Sequence, residues 1–334
     1  MESFEVLALR YMREHQVRNA RAGRVSSSTK EAQRQLGKDI LPQLGRLRAD
    51  AVTRRHVMQV VEAIADRGSF VAADRALGLI RAIYNWGCGT GYIDADPTRG
   101  LKKRNAGRSR SRVLNSAELG RFWVAIEMLP HITPMMRDVF RLQLLTAARV
   151  GEVAGAQRSE LNFDSAIWTI PAIRTKAQRE HVLPLSRPAA AVFRAAIDRA
   201  DLEGQRRAER HGLPYVQSPW VFPSPTTNGP IDAHAATRCI IRNRNELSGF
   251  GIVEHFSCHD LRRTVATGLG EMGVAEEVIG RILSHAPRSV AGKHYNHARL
   301  LQPMRSALAD WAVRLEETVS RASELSDVVE LELG

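Results

Sequence analysis

The chain has 334 residues, 44% hydrophobic and 25% charged, which suits globular protein and allows two domains with separate cores. No apolar stretch approaches the roughly 18 residues that cross a bilayer, the start Met1-Glu2-Ser3-Phe4-Glu5 carries acids where a signal peptide carries bases, and three unclustered cysteines make no disulfide framework. A membrane partner and a secretory leader are therefore not expected, and the expected compartment is a reducing cytoplasm. The net charge of +12 asks for a polyanion, and it is unevenly placed. Residues 1–112 hold 22 of the 48 Lys and Arg but 11 of the 36 Asp and Glu, a net of +11 against +1 for the rest. That asymmetry favours nucleic acid as partner over a merely solvated basic surface.

The first hundred residues read as short helices. Segments near 3–15 and 26–37 are expected to be helical, with Leu41-Pro42-Gln43-Leu44-Gly45 as a break. Thr53 is placed to cap a run with Val57, Val60, Val61 and Ile64 at helical spacing. Phe70 to Trp86 forms another, with Leu77, Ile80, Ile83 and Tyr84 on one stripe, closed by Gly87 and Gly89. Nothing here alternates like a strand, so residues 1–100 are expected to form a basic helical bundle. Asp94-Ala95-Asp96-Pro97 ends it. A linker at 101–112 follows, in which Lys102, Lys103, Arg104, Arg108, Arg110 and Arg112 stand without an acid among them. They are expected to contact phosphates as well as tether.

A second start signal, Asn115-Ser116-Ala117-Glu118, fits a capping box before Leu119, Phe122, Trp123 and Ile126. Pro134 to Ala147 and Gly151 to Ala156 are expected as helices. The period then changes: Phe163, Ile167, Trp168 and Ile170, followed by His181-Val182-Leu183-Pro184-Leu185, look like strands of a small sheet. Helix returns at 187–203, a proline-rich loop follows at 218–230, and from Asp232 the chain is mostly helical. The expected fold class is mainly α with a small antiparallel β-sheet.

Several polar residues in these segments suit phosphodiester chemistry. A phosphodiester repels nucleophiles, and its transition state gathers charge on the non-bridging oxygens, which the planar fork of arginine stabilises well. Arg149, in Thr146-Ala147-Ala148-Arg149-Val150-Gly151-Glu152, follows a helix, and Glu152 is placed to hold it. His259 and Arg262 in His259-Asp260-Leu261-Arg262-Arg263-Thr264 share a helix face at i and i+3. Lys176, between the strand-like runs, is expected to ride a hairpin turn from which its ammonium can protonate a departing 5′-oxygen. Tyr295, in Gly292-Lys293-His294-Tyr295-Asn296-His297-Ala298, offers a phenol that cationic neighbours and a histidine can ionise.

The ordered set Arg149, Lys176, His259, Arg262, His285 and Tyr295 resembles the catalytic signature of the tyrosine recombinases, the phage integrase family. The local wording Ala-Arg-x-Gly-Glu, His-Asp-Leu-Arg-Arg-Thr, Leu-Ser-His and Tyr-Asn resembles it too. The resemblance covers nearly the whole chain. It implies a core-binding domain at 1–100, the linker at 101–112, a catalytic domain at 113–317, and a C-terminal segment at 318–334 that docks on a neighbouring subunit. By the same resemblance Tyr295 is the nucleophile of a 3′-phosphotyrosyl bond, and Arg149 and Arg262 bind the scissile phosphate. Lys176 is then the general acid, His259 acts in proton transfer, His285 donates to a phosphate oxygen and Glu152 supports. The implied partners are double-stranded DNA, four protomers on two DNA sites, and accessory proteins that bend DNA or set direction. Ser284 stands where the family more often has glycine. Many members carry an arm-binding domain before the core-binding one, whereas this sequence begins almost directly in the latter, as a shortened chain or a simpler recombinase would.

Other patterns in the sequence carry weaker signals. Gly268-Leu269-Gly270-Glu271-Met272-Gly273 matches a dinucleotide-binding pattern but follows a helix, and Lys293 stands where an acid belongs. His255 and His259 have zinc-like spacing without a second ligand pair. No metal and no cofactor are expected. A type IB topoisomerase or a catalytically silent DNA-binding protein are the competing functions.

Overall fold

The computed structural model describes residues 2–19, 27–103, 112–285 and 297–333, without the side chains of 19, 27, 297–299 and 325–333. Tyr295, Arg104, Arg108 and Arg110 lie outside the described residues. The chain divides into two compact units, 1–110 and 111–334.

The first unit is helical: α1 Phe4–Asn19, α2 Ser27–Gln35, α3 Leu41–Leu44, α4 Arg54–Ala65 and α5 Phe70–Gly89. Thr53 caps α4, its hydroxyl accepting from the His56 N–H while the His56 ring accepts from the Thr53 N–H. Val57, Val60, Val61 and Ile64 face inward against Phe4, Ile40, Leu77 and Ile80. Tyr84, fully buried, stacks on Phe4 and donates to the Ala49 carbonyl oxygen at 3.0 Å, so its polar end is satisfied.

Two expectations fail here. The break expected at Leu41–Gly45 is helix: a π-helical turn, Leu36–Ile40, joins α2 to α3, with the Leu41 N–H reaching Leu36. Pro42 then falls in the first turn of α3, where a missing N–H costs nothing. Gly89 is the last residue of α5, as expected, but Gly87 lies inside it, where a Cβ would meet Ile93 Cδ1 at 2.9 Å. The chain turns at Gly91, at φ 76°.

The second unit holds α6 Ser116–Met128, α7 Pro134–Thr146, α8 Val150–Ala154, α9 Arg187–Arg210, α10 His234–Arg242, α11 Arg244–Gly249, α12 Cys258–Glu271, α13 Glu276–Ile282 and α14 His297–Leu333. Strands β1 Leu161–Asn162, β2 Ile167–Ile170 and β3 His181–Pro184 pair antiparallel in that order. The fold class is therefore as expected. Phe163, expected in a strand, lies just beyond β1, its ring covered by the Arg194 guanidinium at 4.2 Å. Trp168 is buried edge-on against Phe193 of α9.

Two glycines of the dinucleotide-like pattern have structural roles. A Cβ on Gly268 would come within 2.2 Å of Trp311 Cζ3, so α12 meets α14 there, and Gly273 takes the left-handed conformation (φ 77°) that ends α12. Of the segment 318–334, expected as a tail, residues 318–333 continue α14, and Ala322 packs on Gly120 of α6 in the same chain. The docking expected of this segment on a neighbouring subunit concerns, from residue 325 onward, side chains outside those described.

Candidate active site

The turn after α7 is built by its own small residues. Thr146 is buried; its hydroxyl donates to the Leu142 carbonyl oxygen and accepts from the Ala148 N–H at 3.2 Å. Ala147 ends the helix in the left-handed conformation (φ 53°). Arg149 then caps α8, and Glu152, 2% exposed, accepts both from its backbone N–H at 2.9 Å and from Nη1 at 2.8 Å. The carboxylate thus fixes the partly exposed guanidinium at two points.

Residues 259–264 lie in the first turns of α12. Asp260, buried, closes a capping box on Ser257 and accepts from Arg263 at 2.8 Å. Thr264 accepts from the Leu114 N–H at 3.0 Å, fixing α12 to the start of the unit. Arg262, 3% exposed, crosses beneath the site: Nη1 donates to the Ala147 carbonyl oxygen at 2.5 Å and Nη2 to the Leu283 carbonyl oxygen. Burial, then the nearby Arg149 charge, push Arg262 down to about 10, partly offset by Glu152. His259 stands at the surface; loss of hydration on its inner side and the charges of Arg263, Arg262 and Arg149 hold its imidazole below the ordinary value, against the opposing pull of Asp260. Arg149, Arg262 and His259 therefore share one cationic neighbourhood, which favours an anion.

His285 follows Ser284, whose left-handed φ of 48° explains why glycine suits that position. The His285 N–H donates to the Gly280 carbonyl oxygen at 2.8 Å, and its side chain is exposed. Lys176, also exposed, lies as expected between β2 and β3, in a turn closed by buried Thr175, whose hydroxyl donates to Arg179. Lys102 and Lys103 are exposed in the first unit, after Arg54 and Arg81 hold the Arg99 and Leu101 carbonyl oxygens. Arg112 differs from the expectation of a phosphate contact. Its guanidinium is only 12% exposed and pairs with Glu118, the capping-box residue of α6, and with Glu254. Composition could not reveal that, because the carboxylates belong to the next unit's own fold.

Two residues near the site escaped the sequence reading. Arg174 donates to the Glu152 carbonyl oxygen at 2.5 Å and to the Glu160 carboxylate, while His181 on β3 points inward, 4% exposed. The signal available for His181 was its strand parity with buried Leu183.

Residues 114–300 match the model of the phage integrase family, and residues 4–104 that of the phage integrase central domain. The chain belongs to the phage integrase family. Among relatives of the chain is the prophage integrase IntA of Escherichia coli K12, 26% identical over 289 residues, covering 84% of this chain and 63% of IntA. The chain thus spans less than two thirds of that relative's length. The tyrosine recombinase XerD of Caulobacter vibrioides is 27% identical over 237 residues, 67% of this chain and 72% of XerD. In fold the chain resembles a protein chain from a lambda integrase tetramer bound to a Holliday junction, at TM-score 0.63 and 16% identity, over 88% of this chain and 77% of that one.

Proposed function

We propose that this integrase is a site-specific DNA recombinase that cleaves and rejoins DNA through a 3′-phosphotyrosyl bond at Tyr295. The observation that carries the reading is the cationic neighbourhood of Arg149, Arg262 and His259, set on family-matched residues, with the buried Glu152 carboxylate orienting Arg149. Such a pocket suits a phosphate whose charge grows in the transition state.

In this reading Arg149 and Arg262 hold the non-bridging oxygens with His285. The Tyr295 oxygen attacks phosphorus as its proton passes to His259, whose basicity is held below the ordinary value by burial and by the charges of Arg263, Arg262 and Arg149. The bond to the 5′-oxygen breaks as Lys176 delivers a proton to it. Rejoining reverses these steps, and the covalent bond conserves the energy of the phosphodiester. Residues 1–100 would grip double-stranded DNA through the basic surface, with Lys102, Lys103, Arg104, Arg108 and Arg110 of the 101–112 linker on its backbone. Residues 113–317 would carry the chemistry. Four protomers would act on two sites, with residues 318–334 coupling neighbours and accessory proteins bending DNA or setting direction. A phage or genomic-island element acting in the cytoplasm, on nucleoid DNA, is the setting this implies.

The test is strand exchange between two duplexes carrying DNA from the flanks of the gene. Recombinant joints at one position support the reading; relaxation of single supercoiled circles without exchange would favour a type IB topoisomerase-like function, and binding without either would favour a silent DNA-binding protein.

A further inference from the structure

Lys176 is flanked in sequence by two inward-facing side chains that the proposed reaction does not use. On one arm of the hairpin, Arg174 Nη2 donates to the Glu152 carbonyl oxygen at 2.5 Å. Its Nη1 donates to the buried Glu160 carboxylate, which also accepts from Trp168 Nε1 at 3.0 Å. On the other arm, His181 Nε2 lies 3.2 Å from the Arg281 carbonyl oxygen. A carbonyl oxygen only accepts, so Nε2 bears the proton. Burial pushes this histidine down to about 4, so the ring is neutral and the second nitrogen is a bare lone pair. That nitrogen, Nδ1, has no hydrogen-bond partner among the described residues.

These anchors end on the two elements that would bind phosphate. The Arg174 anchor reaches α8, whose Glu152 holds Arg149. The His181 anchor reaches the end of α13, one turn before His285, where Arg281 also accepts from the Ser284 N–H at 3.0 Å and Leu283 accepts from Arg262. Between the anchors the segment from Lys176 to Glu180 stands largely at the surface, its turn closed by buried Thr175, whose hydroxyl donates to the Arg179 carbonyl oxygen.

We propose that Arg174 and His181 are positioning residues that set the β2–β3 hairpin against both phosphate-binding turns, so that the Lys176 ammonium meets the departing 5′-oxygen. The inference rests on the reading of Lys176 as general acid. The step it serves is balanced: the tyrosine oxygen forms the new bond to phosphorus, the phosphorus–5′-oxygen bond breaks, and the Lys176 proton ends on that oxygen.

The test compares single-turnover cleavage by the full chain of two suicide duplexes, one normal and one with sulfur at the bridging 5′ position. A thiolate leaves without a proton, so sulfur makes the general acid dispensable. Lys176→Ala is expected to lose about 100-fold or more on oxygen and to recover on sulfur. Arg174→Ala and His181→Ala are each expected to lose about 10- to 100-fold on oxygen, yet to stay within about threefold of wild type on sulfur, with DNA affinity unchanged. Recovery on sulfur also shows that each variant is folded. Equal losses on both substrates overturn the proposal; if the alanine variants do not fold, Arg174→Lys and His181→Gln are read by the same ratio. Failure of sulfur to rescue Lys176→Ala would remove the general-acid reading and the proposal with it. That result is distinct from a rescued Lys176→Ala beside unrescued hairpin variants.

Discussion

Arg262 donates to the carbonyl oxygen of Ala147, the left-handed residue that ends α7 two positions before Arg149. With its other terminal nitrogen on Leu283, it joins the turn that presents Arg149 to the turn that presents His285. One buried guanidinium thus sets the spacing of two candidate phosphate ligands while itself being a third.

This dual use separates Arg262 from its exposed neighbours. Arg262→Ala should destabilise the chain by about 3 kcal/mol, because two buried carbonyl oxygens lose their donor. Lys176→Ala and His259→Ala, at exposed positions, should stay within about 0.5 kcal/mol of wild type. All three should lose about 100-fold or more in DNA cleavage. Denaturant unfolding beside cleavage rates checks this; an Arg262→Ala protein as stable as wild type would contradict it.

His181 gives the fold a pH dependence. Its folded pKa is about 4, below the value of 6.5 for an exposed imidazole. Between these values the unfolded chain binds a proton that the folded chain does not, so this contribution is complete above about pH 6.5 and is lost as pH falls. The loss is up to about 3 kcal/mol and levels off below about pH 4. The stability difference between wild type and His181→Gln should therefore shrink from pH 7 to pH 4, read from urea midpoints. Parallel curves would contradict it.

Ser284 adopts φ 48°, a conformation that costs a residue with a Cβ roughly 1 kcal/mol. Ser284→Gly should raise stability by about 0.5 kcal/mol after the entropy of the unfolded glycine is counted. A rise in melting temperature with DNA cleavage intact is the expected result, and a fall would mean that the serine hydroxyl contributes more than the backbone strain costs.

Gly268→Ala should destabilise by about 1–3 kcal/mol, since its Cβ would overlap Trp311, whose Nε1 is held by the Leu144 carbonyl oxygen at 2.7 Å. Thermal unfolding measures it. A neutral effect would show that α14 can move away from α12.

Local chemistry made much of this fold legible. The Thr53 cap, the Asn115–Glu118 box and the apolar stripes of α4 and α5 each depend on residues a turn or two apart, and all are found. What escaped depended on distant partners. Pro42 is tolerated because a π-helical turn resets the helix before it, and Gly87 stays in α5 because Ile93 fills the space beside it. Arg112 is held by Glu118 and Glu254, carboxylates that a charge run alone does not disclose. At the site, residue order and type pointed to Arg149, Glu152, His259 and Arg262, which the fold brings together. Arg174 and His181 went unnoticed because their partners are backbone carbonyls, which carry no signature in the sequence.

In the proposed reaction Tyr295 attacks DNA. The most direct measurement incubates wild type and Tyr295→Phe with a nicked suicide duplex from the gene's flanks, then maps any protein–DNA adduct by peptide mass. A 3′-linked adduct on Tyr295 in wild type, absent from Tyr295→Phe, is the predicted result. An adduct that persists in Tyr295→Phe, or none in wild type on a duplex it binds, would contradict the account.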